Sequence, residues 1–405
     1  MRMARLTIIE RLAHLGLQLL AGTGAGYFGL LTGATFLKRE RTYRPELDSM
    51  PVQFAVVVPA HNEEHQISRT LKSLEQLAYP PGSYRVFVIA DNCSDATADV
   101  ARRFSCTVLE RKDPQHKSKG HALNWAFERV PEGCEAIVVI DADSVADSEL
   151  LVKLSGFYRA SPAAEGEALQ GTYFIHMDGS TVSAANYLAF ALHNVLKPHG
   201  IERIGGSVGL KGNGMCLPRS LLKEVPWRRY GLAEDLEYHV DLVLAGRRVR
   251  FVPEAQVKGV ASNTTKGNES QRLRWERGKI DALRRFTVPL LRSAIKKRDV
   301  GSLEVLLSML VPPFSLAVGS AALCIALGVK RRSKWSMTAS LLELVALAGA
   351  ALRALWLVRA PVRIYLHLPA LPLFIVWRAY IALRSLLWGA GLEWKRTERR
   401  VELDD

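Results

Sequence analysis

Cysteine is scarce in this sequence, and what there is does not cluster. Five cysteines (Cys93, Cys106, Cys134, Cys216, Cys324) are scattered through 405 residues without a C-x-x-C pair. That excludes a disulfide framework and a zinc ribbon, and places most of the chain in a reducing compartment. Acidic residues are the minority sign, 40 against 54 lysines and arginines, for a net charge of +14. Yet no zinc-finger pattern, basic-helix repeat or aromatic-basic ladder is present, so no nucleic acid partner is expected. The first apolar run ends in "PAHNEE" where a nucleotidyltransferase would need a glycine-rich phosphate loop. The single G-x-G-x-x-G match, Gly24 to Gly29, has no strand before it and lies inside an apolar stretch. It is no dinucleotide fingerprint. Gly22 with Gly26, and Gly29 with Gly33, are spaced instead for close helix packing.

What the chain does have is apolar surface, 48% of its residues, and length enough for two or three domains. High hydrophobicity with a basic balance points to a membrane. Leu15 to Leu37 is uncharged and long enough to span at about 20 residues per crossing. It lacks a small-residue cleavage site, so a retained helix is expected. Lys38, Arg39, Arg41 and Arg44 outweigh Arg2, Arg5 and Arg11 set against Glu10, which puts the central region on the cytoplasmic side. "KRRSK" (330–334) opposes that rule if both flanking segments cross.

Residues 53–260 read as a soluble α/β domain. "QFAVVVP" (53–59), "YRVFVIA" (84–90) and "AIVVID" (136–141) are continuous apolar runs, as in parallel strands buried on both faces. Ile67, Leu71, Leu74 and Ala78 recur between them at helical spacing, as do Val100 and Phe104. Alternating strand and helix predicts a doubly wound, mostly parallel sheet, with ligands at the C-terminal strand ends. Residues 160–168 form a polar loop. From about residue 280 the chain turns basic and amphipathic, as for a helix on an anionic membrane surface. Val305–Val329 and Trp335–Val358 can span, the first bent by Pro312-Pro313 and the second holding Glu343 and Arg353. Residues 361–390 read as interfacial or re-entrant. The expected plan is 1–50 N-terminal transmembrane helix and linker, 51–280 catalytic domain, 281–304 interface helix, 305–392 membrane and interfacial helices, and 393–405 tail.

The polar residues fall where such a sheet binds ligands: Asp91 after the second run, Asp141 and Asp143 after the third. Asp91 and Asp143 could cap following helices. Three acids at strand ends repel, however, and Ser or Asn would cap without that cost. Mg2+ or Mn2+ resolves the repulsion, being held by one or two carboxylates plus substrate phosphates, which points to a nucleotide diphosphate. Glu234 and Asp235 open an apparent helix, favourable with its dipole and also suited to a general base. Gln271, Arg274 and Trp275 supply a phosphate-pairing guanidinium and a flat face for a sugar ring, or simply a basic interfacial helix.

"PAHNEE" (59–64), "ADNCSDAT" (90–97), "KGHALN" (119–124), "DAD" (141–143), "GNG" (212–214), "AED" (233–235) and "QRLRW" (271–275) occur in that order. The set resembles the membrane-embedded family 2 glycosyltransferases, the branch with cellulose, chitin, hyaluronan and poly-N-acetylglucosamine synthases. The resemblance covers residues 50–280 and the hydrophobic flanks in general plan. It implies a GT-A-type nucleotide-sugar-binding domain flanked by transmembrane and interfacial helices. It further implies that Pro59, Ala60, Glu63, Asp91, Lys119, Asp141 and Arg274 bind the nucleotide sugar. Asp141 and Asp143 would hold Mg2+ or Mn2+. Gly212, Asn213, Gln271 and Trp275 would face the acceptor, and Asp235 beside Glu234 would be the catalytic base. Processive synthases often carry Thr before the acid pair, where this chain has Ala233. "WKRTER" (394–399) also looks family-like.

The expected function is inverting transfer from a UDP-sugar to a growing polysaccharide by an integral membrane enzyme whose catalytic domain faces the cytoplasm. One alternative is single-sugar transfer to a lipid of ceramide or polyprenyl-phosphate type. Another is a non-catalytic scaffold of a polysaccharide secretion complex, with partner proteins there. Loss of Asp143, Asp235 or Arg274 would be its signature, and all three are present.

Overall fold

The three apolar runs become the middle of one sheet. The computed structural model describes residues 8–38, 50–160, 166–175, 180–259 and 265–368, the side chains of 265–272 apart. The flanking residues Arg2, Arg5, Arg39, Arg41 and Arg44, most of the 160–168 loop, and everything after Leu368 lie outside the described residues. The strands are β1 (Phe54–Ala60), β2 (Tyr84–Asp91), β3 (Thr107–Arg111), β4 (Ala136–Val139), β5 (Ser144–Ala146), β6 (Ala168–Ile175), β7 (Met215–Pro218) and β8 (Val249–Gly259). Their order is β3-β2-β1-β4-β7-β6-β8-β5.

β1, β2, β3 and β4 run parallel, as the continuous apolar runs require. β7 then lies antiparallel to both β4 and β6, and β5 antiparallel to β8. The sheet is therefore mixed and mostly parallel, as expected, with β6 and β8 also parallel. β7 is only four residues, entered from the Gly212–Gly214 turn, too short to show a period in the sequence. Val56, Val58, Val88, Val138 and Ile140 are fully buried against Ile67, Leu71 and Leu74 of helix Ile67–Glu75. Each such side chain contributes roughly 1.5–3 kcal/mol on burial.

Among the described residues, 8–37, 180–200 and 307–368 cluster as one compact unit, and the sheet with the described part of 201–306 as another. In the first, helix Ile8–Ala34 packs on helices Phe314–Arg331 and Lys334–Leu357. The last two are long and apolar enough to cross a bilayer by length and composition. Helix Ile8–Ala34 starts earlier than the expected span, and its glycines, threonines and Gln18 leave it outside that pair. Of the expected glycine pairs, Gly22 and Gly29 face helix Lys334–Leu357, where a Cβ would stand 3.3 Å from Glu343 Oε1 and 3.9 Å from the Ala346 Cβ, while Gly26 and Gly33 face open space. A tighter approach is made by Gly24, whose Cβ would collide with that of Ala317. The acid expected within the second span is paired: Gln18 Nε2 donates to Glu343 Oε1 at 2.8 Å. Arg353 Nε donates likewise to Thr35 Oγ1 at 2.9 Å.

Pro312-Pro313 does more than bend Val305–Val329. It ends one helix, Val300–Leu310, and starts another, Phe314–Arg331, because proline offers no amide donor and restricts the residue before it. The basic segment is no separate element either, since it continues helix Thr265–Lys296. Of residues 361–390, only helix Val362–His367 and Leu368 are described after Pro361.

Candidate active site

The site lies at the C-terminal ends of β1, β2 and β4. The strand order keeps Asp91 apart from the Asp141 and Asp143 pair: β1 separates β2 from β4, and adjacent strands lie about 4.8 Å apart, so Asp91 stands about 10 Å from the Asp141 position. Asp91 has its own counter-charge. Arg111 Nη1 donates to its Oδ1 at 2.6 Å, with Arg111 only 6% exposed and Asp91 7%. Arg111 Nη2 also reaches Asp113 at 2.9 Å, and Asn92, held at φ 51°, bridges the same two turns. Arg111 carries no signal in the sequence because the β3 edge strand is short and half-exposed.

The capping alternative also fails. Asp143 is followed by β5, not a helix, and the helix after Asp91 receives no side-chain cap from it. Asp143 Oδ1 accepts from the Ser144 hydroxyl at 3.1 Å. Asp141 takes an ion pair from Lys119, which begins helix Lys119–Phe127 capped by Ser118. Lys119 Nζ also donates to the carbonyl of Gly212 at 2.6 Å.

That carbonyl belongs to the glycine-asparagine-glycine turn, where Gly212 (φ 72°) and Gly214 (φ 66°) take left-handed conformations. A Cβ on Gly212 would lie 3.3 Å from Lys119 Nζ and 3.4 Å from Asp235 Oδ2. The turn thus brings the base candidate and the donor-side lysine to one point. Asn213 is fully buried and does not face an acceptor. Its Oδ1 accepts from the Asp141 amide at 3.2 Å and its Nδ2 donates to Ser144 Oγ at 2.9 Å. It ties the turn to the D-x-D segment. Gln170 on β6, also fully buried, donates to the Asn213 carbonyl at 2.8 Å. Tyr173 sits among these groups, its phenol raised in pKa by burial and then by Asp141, against a bond with Asn213. Gln170 and Tyr173 were missed; a glutamine inside "ALQGTYF", an otherwise apolar strand, was the available signal.

Glu234 and Asp235 open helix Glu234–Leu244. Burial, then the charge of Asp235, pushes Glu234 up to about 7. Burial also raises Asp235, against the Leu236 amide, Lys119 and Lys211. Burial disfavours the Lys119 ammonium, but Asp141, Glu234 and Asp235 together hold its pKa above the ordinary lysine value. Burial lowers the pKa of Arg274, against the charges of Glu234, Asp141 and Asp235. Trp275 is 42% exposed, and the side chain of Gln271 lies outside the described ones. Ala233 packs so closely on Gly278 that a Cβ there would stand 2.7 Å from its own. That contact explains a small residue where threonine is usual. Pro59 and the buried Ala60 close β1, and the Glu63 amide donates to Thr97 Oγ1 at 2.8 Å.

Among the described residues no three His, Cys, Asp or Glu side chains form a protein-only metal site. Two hard carboxylates at a strand end, Asp141 and Asp143, are nonetheless the donor set that Mg2+ or Mn2+ takes when phosphates supply the rest. The residues fit the ion.

The sequence profile described as glycosyltransferase-like family 2 matches residues 51–278, more than half of the chain. The chain belongs to this family. The chain is 27% identical to the probable glycosyltransferase YdaM of Bacillus subtilis (strain 168), over 60% of this chain and 59% of that protein. A beta-monoglucosyldiacylglycerol synthase of Trichormus variabilis is also 27% identical, over 59% of this chain and 52% of the relative. A poly-beta-1,6-N-acetyl-D-glucosamine synthase of Staphylococcus aureus (strain COL) is 23% identical, over 56% and 55%. The chain thus spans between half and three fifths of the length of these relatives. Among solved structures, the mannosyltransferase PcManGT of Pyrobaculum calidifontis, in complex with GDP-Man and Mn2+, superposes with TM-score 0.52 at 18% identity, covering 85% of this chain and 96% of that one. That likeness is one of fold, and it agrees with the expected GT-A-type domain.

Proposed function

We propose that this family 2 member transfers a sugar from a nucleotide diphosphate sugar, UDP-linked, to an acceptor hydroxyl, with inversion, at a membrane. The observation that carries the reading is the meeting of Lys119, Asp141 and Asp235 around the Gly212 turn. Asp235 takes the proton of the acceptor hydroxyl. The oxygen so freed bonds to the anomeric carbon, and the bond to the diphosphate breaks with its electron pair going to the leaving oxygen. Arg274 and Lys119 are the cations that stabilise that leaving charge. A divalent ion, when bound at Asp141 and Asp143, would neutralise the same diphosphate. A single base without a second carboxylate nucleophile gives inversion. Asp91, held by Arg111, together with Pro59, Ala60 and Glu63, would form the base and ribose pocket. Trp275, Gly212 and Gln271 would lie on the acceptor side.

Helices Phe314–Arg331 and Lys334–Leu357 support membrane integration, and the basic residues after Leu37 support a cytoplasmic catalytic unit. For the acceptor, a growing polysaccharide is the first reading, with a secretion partner where the polymer must leave the cell. The 27% likeness to a glycolipid synthase favours a second, a lipid bearing one added sugar. Membranes carrying the full chain, fed radiolabelled UDP-sugars, separate the two by product size. A single-sugar lipid with no polymer overturns the synthase reading. Asp235→Asn is expected to slow transfer about a hundred- to ten-thousand-fold, and an unchanged rate would remove Asp235 as the base.

A further inference from the structure

Transfer needs Lys119 and Asp235 together at the Gly212 turn, yet the two residues open different helices. Helix Glu234–Leu244 begins without a local fastening. Ala233 at its cap position makes no side-chain hydrogen bond, and Asp235 Oδ1 accepts only from the neighbouring Leu236 amide, at 2.8 Å. The fastening comes from the chain that leads into it. Arg229 Nε donates to Asp241 Oδ2 at 2.5 Å and Arg229 Nη2 donates to Asp241 Oδ1, a two-pronged pair with side chains only 27% and 21% exposed. The same guanidinium lies over the ring of Phe286, 5.0 Å from its centroid, and Phe286 is buried on helix Thr265–Lys296. The Arg229 carbonyl oxygen lies where a Cβ on Gly120 would run into it, one residue after Lys119. Arg229 thus meets the helix of Lys119, the helix of Asp235 and the helix of Arg274. Glu237 shares a helix face with Asp241 and backs the same segment. A Cβ on Gly231 would collide with Glu237 Oε1, which Arg285 Nη1 reaches at 3.5 Å.

We propose that Arg229, locked by Asp241, is a positioning residue of the transfer reaction, the strut that sets Lys119 and Asp235 at their working separation. The inference rests on the roles proposed above for those two residues. Arg229 touches neither reactant and acts through the 229–235 segment. What the position demands is shape as well as charge. A planar fork matches both oxygens of Asp241 while its face lies on Phe286, and the point charge of a lysine cannot do both. Without the fork, the main chain at 229–230 is free to back away from Gly120, and Asp241 is left half-buried without its partner. Each change lets helix Glu234–Leu244 shift against helix Lys119–Phe127. A shift of about 1 Å costs on the order of a hundredfold in rate.

The test uses the full-length membrane protein as wild type, R229M, R229K, D241N, R229M/D241N and D235N, with two readouts. One is kcat per UDP-binding site, the sites being counted by UDP titration; the other is amide hydrogen exchange. In R229M, kcat per site is expected to fall about ten- to a hundredfold, and R229K falls with it. D241N falls in the same direction, and reads the same pair if R229M does not fold. The double variant falls no further than R229M, because both changes remove one contact. Exchange rises in R229M across 119–124 and 228–236. Wild-type kcat per site in R229M or D241N, with only the number of sites reduced, overturns the role and leaves Arg229 a support of folding. Full activity in R229K, losses that multiply in the double variant, or unchanged exchange overturns it equally. A D235N enzyme with the wild-type rate overturns the base assignment and not the strut, which hydrogen exchange reads without turnover.

Discussion

Gly120→Ala isolates how the donor-side lysine is placed. Gly120 is the second residue of helix Lys119–Phe127, and a Cβ there would be driven into the carbonyl oxygen of Arg229. It would also stand 3.0 Å from the Arg229 carbonyl carbon and from the Tyr230 Cα. All three are backbone atoms, which cannot rotate away as a flexible side chain would. On intrinsic preference alone, alanine in a helix gains about 1 kcal/mol over glycine. Overpacking a tight site costs about 1–3 kcal/mol, and a backbone collision belongs at the upper end. The collision therefore wins, by about 2 kcal/mol. Either helix Lys119–Phe127 or the 229–230 segment must move, and both matter. The first carries Lys119, and the second leads into Glu234 and Asp235 and stacks Tyr230 on His121 at 4.0 Å. A misplacement of about 1 Å costs on the order of a hundredfold in rate. The assay pairs kcat/KM for the donor with thermal unfolding of the purified protein. The expected variant is active about a hundredfold less and melts lower. Wild-type kcat/KM with an unchanged or raised Tm would refute the claim that this contact seats Lys119.

The remaining expectations concern charge and the turn. Glu234, pushed up to about 7 from an ordinary 4.5, stays neutral in the fold between those pH values while an unfolded chain ionises it. Its burden on stability is absent below the ordinary value, grows as pH rises through that window and is constant above it. Glu234→Gln should accordingly gain stability over wild type as pH rises from 4.5 to about 7, read by thermal unfolding; a pH-independent difference refutes it. Gly212→Ala forces alanine to φ 72° and presses on Lys119 and Asp235. It should cost roughly 1–2 kcal/mol of stability and lower kcat more than it raises the donor KM, as steady-state kinetics would show. Chelation should stop transfer and added Mn2+ or Mg2+ restore it, whereas full activity in excess chelator would refute the ion at Asp141 and Asp143.

The parallel half of the sheet was legible because strands buried on both faces are written as apolar runs, and Val56 to Val58 and Val86 to Ile89 are such runs. The antiparallel half was not. β7 is four residues, β5 three, and β8 alternates buried and exposed positions only along part of its length. The acids were legible as motifs, but their counter-charges were not. Arg111 lies twenty residues after Asp91 on a strand with no strong period, and sequence spacing says nothing of β1 passing between Asp91 and Asp141. Asn213 shows the opposite failure. It was read as an acceptor contact from its motif, and the fold spends it on holding Asp141 and Ser144.

What brings the chemical groups together is largely the absence of side chains between them. Lys119 reaches Asp141 because Gly120 lets its helix lie against the 229–230 backbone. Asp235 approaches the same lysine because Gly212 has no Cβ to separate them. Arg274 comes within the field of those acids because its helix closes on Ala233 at Gly278. Each contact is a place where one added methyl would push two charged groups apart, and in a recessed site the attraction between charges falls directly with distance. The pattern also accounts for the raised carboxyls. Close backbone approach removes water from around Glu234 and Asp235, and the lysines and Arg274 must then supply the stabilisation that water would have given. A site built this way ties its base to its donor-side cation by geometry. Widening it at any of the three small residues should therefore weaken both together.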